Sequence, residues 1–289
     1  MKKLGFIGGG NMAEALARGL LAKKLFSPSA MIVSDVDAGR RRKLSRALKI
    51  ATTADNLEVL HGSRALLFAV KPQAIDEVLA EIGNALGGAS AIADDNRKPV
   101  RRASAAADSK LFISIAAGIT LSRLTAALGP RARVIRVMPN APAMVGQGMA
   151  ALVRAAGANN ADEAFALKIF RAVGDAVALD DETRLDAVTA LSGSGPAYVY
   201  LFVKAMADAG VSEGLTPELA VRMALKTIRG AEQNMRQSSL EPAELIRIVA
   251  SPGGTTEAAL RKFAEAGFSD IVADALHAAA ERSRELGRT

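Results

Sequence analysis

A chain of 289 residues, half of them hydrophobic, has material for about two cored domains; only 4% are aromatic and none is Trp, which favours Ala-rich helix packing over an all-β sandwich. The absence of cysteine excludes disulfides, thiolate nucleophiles and thiolate metal sites together. The net charge of +7 gathers partly in RKPVRR, Arg97 to Arg102, a run with no interleaved aromatic for base stacking, which reads as a solvated loop rather than a nucleic-acid surface.

The chain opens directly on a buried-strand pattern, KLGFIG, with no signal-peptide pattern ahead of it. NMAEALARGLLAK follows as a helix, AMIVSD as a second strand and AGRRRKLSRAL as a basic helix. ALLFAV is a third strand, stopped by Lys71-Pro72, and AIDEVLAEIG the next helix; LFISIAA and RVIRVMP read as further strands. Apolar strands alternating with helices predict an α/β fold, a doubly wound and mainly parallel sheet over residues 1–160, which is a Rossmann domain. Within it, Gly87 to Lys110 is polar, rich in Ala, Ser and Arg, and too long for an ordinary helix-to-strand connection. That segment predicts a flexible surface insertion at about 88–109.

Beyond residue 160 strands nearly vanish. ADEAFALKIFRAVG is amphipathic and AVALDD reads as a last short strand. GPAYVYLFVKAMADAG has Pro196 at a helix start. TPELAVRMALKTIRGAEQNM has Thr216 as its N-cap and Pro217 at the first helical position. Two more helices are predicted from Thr255 to about Ala266 and from about Ser269 onward. Several of these helices are apolar on more than one face, so an all-α domain over 161–289 is expected to bury them between subunits. The longest apolar run there, AYVYLFV, is well short of the ~20 residues that span a bilayer; a soluble, cytoplasmic protein is expected.

Gly8-Gly9-Gly10-Asn11-Met12-Ala13 matches G-x-G-x-x-A between a strand and a helix. Gly8 permits the tight turn, Gly10 lets a pyrophosphate approach the backbone, and Ala13 allows close helix–sheet contact. After the second strand, Asp35 suits a ribose 2′-OH, whereas Ser34 and the run Arg40-Arg41-Arg42 suit a 2′-phosphate or simply form a solvated basic face. Ala69 to Pro72 and Ile115 to Gly118 end the next two strands, where such sheets line their ligand crevice. Pro139 and Asn140, in VMPNAP, suggest a rigid turn near the nicotinamide or plain turn chemistry. Two glycines and two serines in LSGSG open a helix, and Glu182 ahead of them is either a first-turn dipole partner or a carboxylate facing a cationic substrate. SPGGTTEAAL, Ser251 to Leu260, is a second glycine-rich helix entrance, able to aim N–H groups at another anion. The two histidines, His61 and His277, are far apart in helical contexts, so no Ser-His-Asp or metal set can be assembled; hydride transfer is the chemistry left to a bound dinucleotide.

With those stretches in view, GFIGGGNMAEAL, AVKPQ, SIAAGIT, RVMPNAP, DAVTALSGSGPAYVY and SPGGTTEAAL, in that order and nearly end to end, give a chain that resembles pyrroline-5-carboxylate reductase, the last enzyme of proline biosynthesis. The resemblance implies a Rossmann domain followed by a helical domain that interlocks into a homodimer or a ring of dimers. It implies NADP(H), and also NAD(H), as cofactor, with contacts from Gly8, Gly10, Asn11, Met12, Ser34, Asn56, Val70, Lys71 and Ala117; the strand ends add Ala69, Pro139 and Asn140. It implies substrate contacts from Glu182, Ser251, Thr255 and Thr256, with backbone donors at Gly253 and Gly254 for the carboxylate of 1-pyrroline-5-carboxylate and Thr256 as the catalytic residue beside the ring nitrogen. The cyclic imine, arriving as an iminium, would accept hydride without a strong general acid. No metal, nucleic acid or membrane partner is implied. The chain departs from the family pattern in the length of Gly87 to Lys110, in Asp35 directly after Ser34, and in Ile248 where some relatives carry Asn. The rival readings are a reductase of another small imine, a 2-hydroxy acid dehydrogenase, which would want a Lys or His acid–base in the cleft, and a dinucleotide sensor without turnover, which would not need an intact SPGGTT.

Overall fold

The computed structural model describes residues 2–87, 110–130 and 132–288; the predicted insertion at 88–109 lies outside them. Two compact units are present, Met1–Gly193 with Ala280–Thr289, and Ser194–Ala279.

The first unit is built on an eight-stranded sheet, β1 (Lys2–Ile7), β2 (Met31–Ser34), β3 (Ala51–Thr53), β4 (Ser63–Phe68), β5 (Leu111–Ser114), β6 (Arg133–Pro139), β7 (Gly148–Arg154) and β8 (Gly174–Ala178), in the order β3-β2-β1-β4-β5-β6-β7-β8. All neighbours pair in parallel except β6 and β7. The alternating pleat divides each strand between two cores. Leu4, Phe6, Ala65, Leu67, Ile113 and Ile135 face one way, against α1 (Asn11–Ala22), α2 (Ala38–Leu48) and α6 (Asn160–Phe170). Ile7, Leu66, Phe68, Phe112 and Val134 face the other, against α3 (Asn56–Gly62), α4 (Ile75–Ala85) and α5 (Leu121–Leu128). Phe68 and Phe112 stack there with ring centroids 6.1 Å apart. Both rings are fully buried, a burial that stabilises by about 1.5–3 kcal/mol for each such side chain.

The expected boundary near residue 160 falls at the start of α6, inside this first unit. The physical reason is β8: it pairs in parallel with β7 and extends the sheet, so the helix between them must pack on the same core. β3 and β7 were not read from the sequence. β3 has only three residues, and β7 opens on Gly148 and Met149 and carries two Ala where branched residues usually mark a strand. The unit closes with α7 (Arg184–Val188) and a π-helical turn, Thr189–Gly193.

The second unit holds α8 (Gly195–Ser212), α9 (Pro217–Gln237), α10 (Pro242–Val249), α11 (Thr255–Glu265) and the first part of α12 (Phe268–Arg288). Thr216 caps α9 by accepting the Leu219 N–H at 3.4 Å, with Pro217 at the first helical position. α8 and α9 meet through small residues, Ala207, Ala220 and Ala224, all buried. Phe263 and Phe202 gather on Phe268. Among the described residues no helix is long and apolar enough to cross a membrane.

Two ion pairs tie α6 to the sheet, Arg154 Nε to Glu163 at 3.2 Å from β7 and the more buried Arg133–Asp162 pair from β6. Asp162, at the third position of α6, accepts from Arg133 Nε at 2.9 Å and from Arg133 Nη2, and also from the backbone N–H of Asn159 at 3.0 Å. Burial pushes the Asp162 carboxyl up, but the Arg133 hydrogen bonds, the Asn159 N–H and the Arg133 charge outweigh it and hold it below the ordinary carboxylate range. A depressed carboxyl contributes stability that is present above its unfolded pKa and lost as pH falls through its folded one. Asp162→Asn is therefore expected to cost roughly 1.5–3 kcal/mol at neutral pH. In urea titrations the gap between variant and wild type should close as the pH is lowered through the acid range.

Candidate active site

Six parallel strands end along one edge of the sheet, and their connecting loops carry most of the anticipated residues. Order reverses between β1 and β4, which opens the crevice where such sheets take ligands. β1 runs into Gly8, whose N–H donates to Ser34 O at 2.9 Å. Gly8 has φ +94°, and a Cβ there would lie 2.8 Å from the carbonyl of Ala69, so no other residue turns this corner without strain. At Gly10 a Cβ would meet only Ala69 O, at 3.9 Å. The protein does not fill the space beside Gly10, and α1 starts immediately after it, with Gly10 offering no capping side chain. The first-turn N–H groups at Asn11 and Met12 thus have no intrahelical acceptor, an arrangement that fits a pyrophosphate.

The loop is held from behind. Asp35 Oδ2 accepts the Gly9 N–H at 2.8 Å and Oδ1 accepts the Asp37 N–H at 2.8 Å. Arg40 donates to Gly9 O, reaches Asn11 Oδ1 at 3.4 Å and pairs with Glu14 at 2.9 Å. Arg41 donates to Asp35 O at 2.6 Å and Val36 O at 3.0 Å. Burial pushes the Glu14 carboxyl up, but Arg18, Lys43 and Arg40 more than offset this and lower it. Asp35 and Arg40 thus shape the glycine loop and Arg41 holds the backbone after β2, where the sequence left these arginines between a 2′-phosphate contact and a solvated basic face; Arg42 is exposed.

Ser34 is fully buried, its Oγ donating to Asn56 Oδ1 at 2.7 Å, while Asn56 Nδ2 donates to Glu81 at 2.7 Å. The structure brings these two residues, far apart in sequence, into one network after β2 and β3. Ala69, Val70 and Lys71 follow β4, with the Ala69 N–H on Ile7 O at 2.8 Å and Lys71 exposed. Ala117 lies in the turn after β5. Pro139 ends β6, and the Asn140 side chain is fully used: Nδ2 donates to Ser192 O at 3.2 Å and to its Oγ at 3.1 Å, and Oδ1 accepts the Met149 N–H at 2.8 Å. It staples the β6 tip to the π-helical turn and to β7.

Glu182 accepts the Leu121 N–H at 2.8 Å and Arg136 Nη1 at 2.6 Å, both on Oε1. Arg136 is buried within β6. Sequence reasoning missed it, although a lone arginine inside the apolar run RVIRVMP was the signal. Asp186, Ser192 and Ser283 were missed too, because their ties run between distant segments.

The second glycine-rich entrance lies in the helical unit. Gly253 has φ +68°, and α11 starts at Thr255. The Gly253 N–H donates to Glu257 Oε2 at 2.5 Å and the Gly254 N–H to Ser251 O at 2.9 Å. Both anticipated backbone donors are thereby engaged within the chain. Thr255 and Thr256 occupy the first turn, where N–H groups lack intrahelical acceptors.

Comparison with known proteins agrees along the whole length. A family model described as pyrroline-5-carboxylate reductase dimerisation matches residues 182–286, and one described as NADP oxidoreductase, coenzyme F420-dependent, matches residues 3–93. The chain is 42% identical to a pyrroline-5-carboxylate reductase of Pseudomonas aeruginosa, over 98% of this chain and 96% of that one. It is 40% identical to one from Synechocystis sp., over 99% and 98%. Among solved structures it resembles a pyrroline-5-carboxylate reductase of Coxiella burnetii with a TM-score of 0.86 at 30% identity, covering 100% and 99% of the two chains. The Plasmodium falciparum pyrroline carboxylate reductase with NADP bound gives 0.83 at 29% identity, covering 99% and 98%.

Because Asp35 anchors Gly9, Asp35→Ala should loosen the loop rather than switch the cofactor. The expected result is a similar rise in KM for NADPH and NADH, about tenfold for a lost hydrogen bond to a charged group. Steady-state kinetics with both cofactors checks it; a change in their ratio beyond about threefold would count against this role.

Proposed function

The chain belongs to the pyrroline-5-carboxylate reductase family, and from that premise we propose how its own residues reduce the C=N bond of 1-pyrroline-5-carboxylate to L-proline. It is an NAD(P)H-dependent oxidoreductase of proline biosynthesis. The observation that carries the cofactor half is the Gly8–Gly10 loop, where Gly8 makes a turn no side chain permits and the protein leaves open space beside Gly10 at the start of α1.

In this reading the Gly8–Met12 loop holds the pyrophosphate, with the Ser34–Asn56 pair towards the ribose. Ala69, Val70, Lys71, Ala117 and the backbone at Pro139 and Asn140 line the crevice. The cofactor, when bound, supplies the hydride. The substrate carboxylate sits at the N-terminus of α11, on the Thr255 and Thr256 N–H groups, with the Gly253 N–H released to it from Glu257. Gly254 and Ser251 keep the turn closed through their own hydrogen bond. The Thr256 hydroxyl faces the ring nitrogen, where it orients the imine and meets the amine that forms there. Glu182 has its second carboxylate oxygen directed to the cationic side of the substrate, its first being held by Arg136 and Leu121. An iminium is already electrophilic at carbon, so positioning supplies most of the acceleration.

The first unit is then the NAD(P)-binding part and the helical unit the substrate and dimerisation part. Exposed Leu201, Met223, Leu225, Ile246 and Ile248 on that unit form more apolar surface than a monomer keeps in water, which supports a homo-oligomer of at least two chains sharing the site. A cytoplasmic location belongs to the same proposal.

Purified protein should consume NADPH or NADH only when 1-pyrroline-5-carboxylate is added, followed by loss of nicotinamide absorbance; no such loss with either cofactor overturns the proposal. Thr256→Ala should lower kcat/KM by roughly ten- to a hundredfold with cofactor KM nearly unchanged. Mixing Thr256→Ala chains with chains disabled at Gly10 tests sharing: mixed dimers recover activity when each site combines the turn and the loop of different chains, and an active wild-type monomer would show that they do not.

A further inference from the structure

We propose that the C-terminal end of α12 is a positioning element for the nicotinamide cofactor, bracing the Ala117–Gly118 turn from behind, with Ser283 as its lock. This rests on the reading above that Ala117 lines the cofactor crevice. All the residues concerned belong to the first unit, which recovers Ala280–Thr289 although the helix that carries them begins in the other.

The turn after β5 depends on contacts outside itself. At its start the Ala116 N–H is held by Ser114 Oγ at 3.3 Å. At its far end Leu121, the first residue of α5, donates to Glu182. Between these points Gly118 is buried with φ +76°, and a Cβ built on it would lie 3.0 Å from both the Cβ and the carbonyl oxygen of Leu286. The turn is therefore pressed onto the backbone of the last helical turn, and only glycine has both the conformation and the clearance. One residue on, a Cβ on Gly287 would lie 3.6 Å from Thr120 Cγ2 and 3.7 Å from Gly118 O. α12 meets the turn along two successive small contacts.

The helix end is itself anchored. Ser283 is only 5% exposed and donates to Asp186 Oδ1 at 2.6 Å. Asp186 belongs to α7, four residues after Glu182. α7 thus links the two grips on the turn: Glu182 holds its exit and Asp186 holds the helix behind it. The end of α12, which frays when nothing holds it, is locked by a half-buried hydrogen bond where it meets the backbone beside Ala117. Ser283 and the terminal residues touch neither reacting group; they act by setting where the Ala117 backbone stands.

The test compares three proteins with wild type: a chain ending at Ser283, Ser283→Ala with its conservative partner Ser283→Thr, and Ala117→Asp as a direct obstruction of the crevice. NADPH dissociation constants, KM for each substrate and melting temperatures are measured. Shortening the chain should weaken NADPH by about fivefold or more, and Ser283→Ala by about threefold, as expected for one hydrogen bond. Ser283→Thr should restore most of it, with KM for 1-pyrroline-5-carboxylate holding within about twofold of wild type. If Ala117→Asp weakens NADPH but Ser283→Ala does not, the bracing role is wrong while the cofactor reading stands. If Ala117→Asp also leaves NADPH binding intact, the reading beneath it falls as well. Equal losses for both substrates that follow a fall in melting temperature would reduce α12 to a stabilising element and overturn the proposal. Should the shortened chain not fold, the Ser283 pair decides.

Discussion

The cofactor side of this molecule hangs on the parallel register of β1 between β2 and β4. Leu4 to Ile7 pair with Met31 to Ser34 on one side and with Ala65 to Phe68 on the other, so three strand ends reach the same edge together. The Gly8 N–H on Ser34 O and the Ala69 N–H on Ile7 O continue that ladder beyond the strands. Through them the glycine loop, the buried Ser34 and the Ala69–Lys71 segment form one backbone surface. A slip of one residue would exchange the two cores and misplace all three.

Around that edge, side chains that sequence motifs suggest as ligand contacts also serve as ties within the protein. Asp35 and Arg40 hold Gly9 from opposite sides, one accepting its N–H and the other donating to its carbonyl. Asn140 joins β6 to the π-helical turn, and Glu182 joins β6 to the start of α5 through Arg136. Each of these is a buried or half-buried polar group whose hydrogen bonds must be met inside the protein. Meeting them fixes the backbone, and it is largely backbone that a dinucleotide contacts. A motif residue can therefore matter to binding without touching the ligand.

The helical unit follows a different logic. Its buried residues are chiefly alanines, whereas Leu201, Met223, Leu225 and Ile248 remain more than half exposed. Small residues bring α8 and α9 close together and leave the large ones facing outward. Such a unit finds its remaining burial in another surface, as expected for a segment that matches a dimerisation family over residues 182–286.

Sequence alone determined β1, β2, β4, β5 and β6, the helices α1, α2 and α4 between them, the glycine loop, and the entrances at Thr216 and Thr255, because each is a local pattern: periodicity, a glycine turn, a cap. β3 and the short helices α3 and α5 are too brief to leave one. The glycine loop and the SPGGTT turn were legible for the same reason, and the ordered blocks located the family. Only the tertiary structure decided that β7 turns antiparallel and β8 rejoins the sheet, so that the first unit runs on to Gly193. It also decided that Ser34 meets Asn56, that Arg136 meets Glu182, and that Ser283 meets Asp186 across 97 positions of the chain. Those pairings depend on which faces come together once the cores have formed, and a hydrogen bond between distant segments leaves no periodic trace in either of them.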